Sequence, residues 1–394
     1  MTDATTTGTA MVRLRRMSVA AAGAYGVQGL GYAVVVTALP SFQARHALDE
    51  TAVSLILLGV VVAAAAGSVL ADLLAVRRNS RFAVIVGFAL QIIGLTGAAL
   101  SPEIVLFVVS ILVYGVGLGT IDAASNMQGV LVQRHWGRPI LGRLFAVYTV
   151  AAIVGAMAMS AGISLGSGAT FALLIAAGMQ LVYLLAASRA LDPERAARQA
   201  GTKAGRLPRM PIFVVGLVVF AVFTMDAGLS TWSSVHLVDM GTAAALAPLG
   251  YALYQAGVLI ARLAVDPVER RVGTRRVALA ALIAGAVGSI AFALIPVFGV
   301  AVFALFLAGL CSGALIPIAF GMAGRIDPAR SDEIVARVNI YNYGGALIGT
   351  VGVGLLLDAG GPALAFIVPA LVLLLALPAL RSHATPKAAP GVES

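Results

Sequence analysis

Twelve stretches of about 20 apolar residues follow one another along the chain, at 17–40, 51–75, 82–100, 104–132, 141–163, 168–188, 211–236, 245–265, 277–296, 299–323, 336–357 and 362–380. A helix needs roughly 20 such residues to cross the hydrocarbon of a bilayer, so each stretch has the length of a span. Charged residues make up 11% of the 394 residues, against about 25% in a soluble domain, which leaves too few to cover a water-facing surface. The first run, Met17 to Pro40, follows Arg13, Arg15 and Arg16. It is too long for the apolar region of a signal peptide and reads as a retained first helix. The third and fourth runs are separated only by Ser101-Pro102-Glu103, and the ninth and tenth meet at residues 296–299.

The formal net charge is +9. Lysine and arginine fall in the N-terminal tail, in alternate loops, in a long middle linker and in the C-terminal tail. With twelve spans, 24 of the 26 lie on one side, leaving Arg45 on the other and Arg262 inside helix eight. Positive residues mark the cytoplasmic face, so both termini are expected in the cytoplasm and the protein in the inner, cytoplasmic membrane. Because the charge is confined to loops, its expected partner is anionic lipid headgroups and not nucleic acid. Cys311 is the single cysteine, so no intrachain disulfide forms.

The linker LDPERAARQAGTKAGRLPRM at 191–210 divides the runs six and six. The expected divisions are a tail (1–16), a first six-helix half (17–188), a linker (189–210), a second half (211–380) and a second tail (381–394). A shift of 194 residues superposes the halves. Asp72 then meets Asp266, Arg77 meets Arg271, Arg81 meets Arg275, Gly115 and Gly119 meet Gly309 and Gly313, Arg143 meets Arg337, and Gly155 meets Gly349. The fold predicted is an all-α membrane protein of twelve transmembrane helices in two pseudo-symmetric six-helix halves. Parallel repeats of this kind build transporters, with the solute site near the bilayer midplane.

The repeated loop reads D266-P-V-E-R-R271-V-G273-T-R275-R276 in the second half. An Asp at a helix end can pair with loop arginines, and Gly273 can supply a left-handed turn. Asn79, the next most tolerant residue of such a turn, stands at the equivalent first-half position. Asp72, Arg77, Arg81, Asp266, Arg271, Gly273 and Arg275 are therefore candidates for a conformational latch. The alternative is a plain basic loop facing lipid.

On these residues the chain resembles the major facilitator superfamily, whose 8–9 loop signature is similar to Arg262-Leu-Ala-Val-Asp266 followed by Arg271, Gly273 and Arg275. Within it, Gly119-Thr-Ile-Asp122-Ala-Ala-Ser-Asn126 resembles the fourth helix of the fucose-permease-like branch. Trp232, six residues after Asp226, is similar to that branch's seventh helix, and Pro317 after Gly309 and Gly313 to its tenth. The resemblance implies a carrier, and the branch includes proton-coupled sugar uptake systems.

Ionisable residues inside spans are costly and mark ion and substrate pathways. Only Asp122 and Asp226 lie well inside, so both are candidates for proton coupling. Asn126, four residues after Asp122, shares its helix face. Gln28 is the one amide of helix one. Tyr148, Trp232, Tyr254, Gln255, Asn339, Asn342 and Tyr343 complete the candidate substrate-binding set, with the last three at i, i+3, i+4 spacing. Amides and phenols suit a neutral polar ligand, although they also join helices to one another in bundles. The glycines of GVGLG at 115–119 follow no strand and have no basic neighbour, so they are packing glycines and not a phosphate loop. His46 and His236 fall at outer helix ends and are expected to be solvated.

No cluster has metal-ligand spacing and no ATP-binding motif is present, so no cofactor and no enzymatic activity are expected. The leading expectation is a monomeric secondary active transporter that moves a small polar, sugar-like solute by alternating access with protons. Proton-driven efflux of a drug or metabolite is the alternative, and a non-transporting receptor or scaffold on the same fold is the third reading.

Overall fold

The computed structural model describes residues 2–137, 140–193, 207–327 and 330–378. Most of the middle linker and the C-terminal tail at 381–394 lie outside these. Among the described residues all regular structure is helical. That is the outcome for a chain whose backbone groups must find partners without water.

The helices are α1 (Thr2–Thr37), a short α2 (Leu39–His46), α3 (Glu50–Arg77), α4 (Ser80–Leu100), α5 (Ile104–Trp136), α6 (Leu141–Ser164), α7 (Gly168–Ala186), α8 (Arg209–Asp239), α9 (Ala247–Val272), α10 (Thr274–Leu294), α11 (Phe298–Ile326), α12 (Ser331–Leu347) and α13 (Val353–Leu374). Eleven described helical segments are long and apolar enough to span a membrane. The last, Arg337–Leu374, has 38 residues. At 1.5 Å per residue it reaches about 57 Å, nearly twice the ~30 Å hydrocarbon thickness. It contains a π-helical turn, Ile348–Gly352, and breaks at Gly361, which takes φ 70° and ψ −171° just before Pro362. The eleventh and twelfth runs therefore meet at a kink with no polar loop between them, because glycine admits a positive φ that other residues resist.

Helix ends are set by local chemistry. Asp49 caps α3 by accepting from the Ala52 N–H at 2.7 Å. Asn79 caps α4 by accepting from the Phe82 N–H at 2.8 Å, as short polar side chains at this position do. The sequence expectation for Asn79 is corrected here. Its φ is −174°, extended and not left-handed, whereas Gly273 caps α10 with φ 86°. The two halves start the same helix by different means. Arg45 donates to the carbonyls of Ala98 (3.2 Å) and Ala99 (3.0 Å) at the end of α4 and to Thr170 Oγ1 (2.7 Å). His46 stacks on Phe107 with ring centroids 4.5 Å apart. Burial and the adjacent Arg45 guanidinium hold its imidazole below the usual histidine range. His236 is buried, so neither histidine is simply solvated.

The molecule comprises two compact units, residues 1–200 with 231–256, and residues 201–230 with 257–394. In the first, α5 packs against α3, α4 and α1, and α1 against α6 and α7. Residues 231–256 follow the linker in chain order yet pack in this unit. Tyr251 and Ala252 form one apolar cluster with Ala33, Val36, Ala152 and Ala156, and Ser160 Oγ donates to the Ala245 carbonyl at 2.6 Å. In the second unit α10 packs against α11 and α13.

Within each unit the 194-residue repeat is visible as contacts. A Cβ added to Gly119 would overlap the Ala64 carbonyl, and one added to Gly313 would overlap that of Val258, the equivalent residue. Gly155 abuts the Leu30 carbonyl, and Gly349 that of Thr224. Gly94 faces Tyr114, and Gly288 faces Ala308. Small residues let helices approach backbone to backbone in a bilayer, where burial of apolar surface supplies no drive. At one pair of positions the partners are exchanged. Gly117 of α5 admits Gln91 of α4 in the first unit, while in the second Gly285 of α10 admits Cys311 of α11.

Candidate functional site

Close glycine contacts fix one side of α5. Gly119 lies against α3, and Gly117 lies against α4, where a Cβ would stand 2.7 Å from the Gln91 nitrogen. With α3 and α4 on those faces, Asp122 and Asn126 reach α1. Gln28 Nε2 donates to Asp122 Oδ1, and the Tyr25 hydroxyl donates to Asn126 Oδ1 at 2.5 Å. Because α1 and α5 run antiparallel, these bonds form two successive rungs, with Tyr25 and Gln28 three apart on one helix and Asn126 and Asp122 four apart on the other. Tyr25 is held from the side by an edge-on contact with Phe145, ring centroids 5.3 Å apart.

Burial divides the four residues. Gln28 and Tyr25 are buried, while Asp122 and Asn126 are accessible although both sit in the middle of a span. Asp122 Oδ2 carries no hydrogen bond among the described residues. Beside the carboxylate, Tyr114 and Tyr148 lie within electrostatic reach of Asp122 and of each other, and both are within reach of Tyr32 and Tyr251. Tyr114 is 1% exposed and its hydroxyl has no partner. Buried hydroxyls are nearly always paired, so this one is an exception within reach of the carboxylate. Gln255 Nε2 donates to the Tyr251 hydroxyl at 2.6 Å. The arrangement offers one carboxylate oxygen, several phenols and two amides around an accessible point. It can accept hydrogen bonds from a hydroxylated solute, present aromatic faces to it, and exchange a proton.

The remaining sequence candidates are distributed as follows. Tyr148 backs onto α1 at Gly29, where a Cβ would stand 3.0 Å from its ring. Trp232 and Tyr254 are fully buried in the first unit. Asp226 belongs to the second unit, half-buried and within electrostatic reach of Cys311. There too, Asn342 Nδ2 donates to Asn339 Oδ1 at 3.2 Å, and Tyr343 is 65% exposed.

In the repeated loops Asp72, Arg77, Asp266, Arg271 and Arg275 are exposed and Arg81 is half-buried. Among the described residues, neither Asp pairs with the arginines of its own loop. Exposed pairs of that kind contribute only about 0–1 kcal/mol, too little to hold long side chains in one arrangement. Thr274 Oγ1 instead donates to Glu269 Oε1.

Four members of the cluster, Tyr25, Tyr32, Tyr114 and Tyr251, are absent from the sequence candidates. Tyr25 lies three residues before Gln28, and Tyr114 eight before Asp122, so helical spacing from the chosen residues marks both. Tyr251, one turn before Gln255, carries the same signal. The described residues hold no group of three or more His, Cys, Asp or Glu suited to a metal.

The sequence profile of the Major Facilitator Superfamily matches residues 21–299 and 239–394. An uncharacterised MFS-type transporter of Yersinia pestis is 26% identical over 352 residues, covering 89% of this chain and 91% of the relative. The membrane protein MosC of Rhizobium meliloti is 22% identical over 337 residues, covering 85% and 82%. Among solved structures, the nucleoside transporter NupG in its D323A form aligns with a TM-score of 0.77 at 14% identity, covering 94% of this chain and all of that one. The outward-conformation structure of the transporter FucP aligns with a TM-score of 0.62 at 16% identity, covering 93% and 98%. At these identities the structural likeness concerns the fold.

Proposed function

The chain belongs to the Major Facilitator Superfamily, and on that premise we propose that it is a proton-coupled secondary active transporter for a small, neutral, hydroxyl-rich solute such as a sugar or nucleoside. The reading is carried by Asp122, an accessible carboxylate at mid-span whose Oδ1 accepts from Gln28 and whose Oδ2 is free. A carboxylate in such surroundings binds a proton in one step of a cycle and releases it in another. Asn126, Tyr148, Gln255 and the phenols beside them supply solute contacts. Asp226, Trp232, Tyr254, Asn339, Asn342 and Tyr343 are assigned supporting roles. Kinship in fold with a nucleoside transporter and with FucP, described in another structure as a fucose:proton symporter of E. coli, agrees with this solute class.

In the proposed arrangement the protein is a monomer in the inner membrane with both termini cytoplasmic. The two repeated loops, whose aspartates and arginines are not paired with each other among the described residues, act as a latch that forms in another state of the cycle. The test begins with a thermal-shift screen of the purified protein against sugars, nucleosides, amino acids and antibiotics. The solute found is then followed in proteoliposomes. Asp122→Asn is expected to abolish uptake driven by a proton gradient while solute counterflow continues. Proton-driven flux at the wild-type rate in that variant refutes the assignment, and stabilisation by cationic drugs with outward flux establishes efflux instead.

A further inference from the structure

At the positively charged end of the first unit, the N-terminal half of α1, the start of α4, the end of α7 and the head of the linker line a cavity of about 740 Å³. Arg13, Arg15 and Arg16 enter it from α1, Arg81 from the start of α4, and Arg189 from the turn after α7. Among the described residues no acidic residue lines it. Among the described residues none of the five guanidinium groups is in an ion pair. The nearest carboxylate in sequence, Asp192, is 3% exposed and faces His135 Nδ1 at 3.5 Å, so it is engaged elsewhere. Five like charges around one cavity repel each other unless an anion enters.

The walls are fixed. The Tyr183 hydroxyl donates to the Ala20 carbonyl at 2.9 Å and ties α7 to α1. Gln128 grips the linker head from α5. Its Nε2 donates to the Asp192 carbonyl at 2.8 Å, its Oε1 accepts from the Asp192 N–H at 2.9 Å, and the same Nε2 holds Ser80 Oγ at 2.8 Å. Leu191 is thereby seated in one apolar cluster with Ala20 and Ala83. These bonds fix the elements that bring Arg81 and Arg189 to one cavity.

The floor and one lip are apolar. Met17, Ala20 and Leu191 are buried beneath it. Val19, in the lining, is 72% exposed, and Val182 and Leu185, on α7 just before the lining residue Ala186, are 65% and 68% exposed. Exposed apolar residues on the same helices as a group of arginines fit a molecule with an anionic head and a hydrocarbon tail. Basic pockets between transmembrane helices hold such headgroups.

We propose that this cavity is a binding site for an anionic phospholipid, with phosphate oxygens on Arg13, Arg15, Arg16, Arg81 and Arg189 and an acyl chain along Val19, Val182 and Leu185. Guanidinium groups suit the task because their planar donors meet phosphate oxygens two at a time. The number of arginines favours a headgroup with two phosphates over one with a single phosphate. The site is independent of solute transport, so its test does not depend on the substrate.

The purified full chain in a neutral detergent is titrated with cardiolipin, phosphatidylglycerol, phosphatidylcholine and inorganic phosphate, and bound lipid is counted by native mass spectrometry. Cardiolipin is expected to bind best and phosphatidylcholine at least tenfold more weakly. Each arginine near a membrane surface is worth about a fivefold change in affinity, so Arg16→Gln with Arg189→Gln is expected to weaken cardiolipin by roughly 25-fold. Arg13→Gln with Arg81→Gln serves as the second variant should the first melt early. The control Arg270→Gln with Arg276→Gln removes equal charge elsewhere and is expected to change affinity less than twofold. An equal loss in the control, or equal binding of phosphatidylcholine, overturns the site. Displacement of cardiolipin by millimolar inorganic phosphate overturns the lipid assignment in favour of a free anion.

Discussion

Replacing Gly119 by alanine tests whether backbone contact between α3 and α5 holds the first unit together. The new Cβ would overlap the Ala64 carbonyl oxygen and stand 2.5 Å from its carbon and 2.7 Å from its Cα, whereas ordinary contact begins at 3.4 Å. Clearing the carbon alone requires about 0.9 Å and clearing the oxygen more, and this must be met by a shift of helix backbone, since no flexible side chain is in the way. Overpacking of this kind costs about 1–3 kcal/mol. Because only backbone can yield here, the cost falls in the upper part of that range, about 2–3 kcal/mol; alanine returns about 0.5–1 kcal/mol through its better helix propensity, leaving a net loss of about 1–2.5 kcal/mol. At roughly 2–4 °C per kcal/mol for a unit of this size, the melting temperature falls by about 2–10 °C. Gly313→Ala, whose Cβ meets the equivalent Val258 carbonyl, is expected to lose a similar amount. Gly142→Ala in α6, with nothing within 4 Å of the added atom, gains stability from the propensity term alone. Thermal unfolding of the three purified variants in one detergent decides the matter. A melting temperature for Gly119→Ala at or above that of the parent refutes the contact argument.

Removing the Gln28 amide deprives Asp122 of a charge-assisted hydrogen bond worth about 1.5–3 kcal/mol. Gln28→Leu should therefore weaken solute binding by about 10- to 150-fold, yet add little in an Asp122→Asn background. Additive losses in that double-mutant cycle, read as dissociation constants, show that Gln28 acts elsewhere. If alternating access requires Ser160 to part from Ala245, a short thiol cross-link between Ser160→Cys and Ala245→Cys stops transport reversibly. The native Cys311 is fully buried and does not compete. Full activity of the cross-linked protein shows that this contact is permanent.

Spans, repeat and internal acids are legible in the sequence because each depends on local composition or on a fixed offset. The offset holds to the residue in places. α4, Ser80–Leu100, maps onto Thr274–Leu294, and the start of α5 at Ile104 maps onto Phe298. Pairings between helices are less legible. Tyr25 and Asn126 are 101 positions apart, and no local pattern says which face of α1 meets which face of α5. The membership of residues 231–256 in the first unit is likewise set by packing, against the order of the chain. The turn at Gly361 is hidden for a different reason. A glycine before a proline inside a long apolar run looks the same whether the helix merely bends or turns back. The candidate site was half visible, since Asp122, Asn126 and Gln28 stand out as polar residues in apolar helices, whereas tyrosine is ordinary in a bilayer and attracts notice only by its spacing from them.

The exchange of partners between Gly117 with Gln91 and Gly285 with Cys311 sets a rule for recombining the two halves. Grafting α10 in place of α4 would set a glycine opposite a glycine and leave a void. Grafting α4 in place of α10 would drive a glutamine into a cysteine. Each helix has become a lock cut for its own neighbour, so any chimera or symmetrised design has to transplant the two helices as a pair.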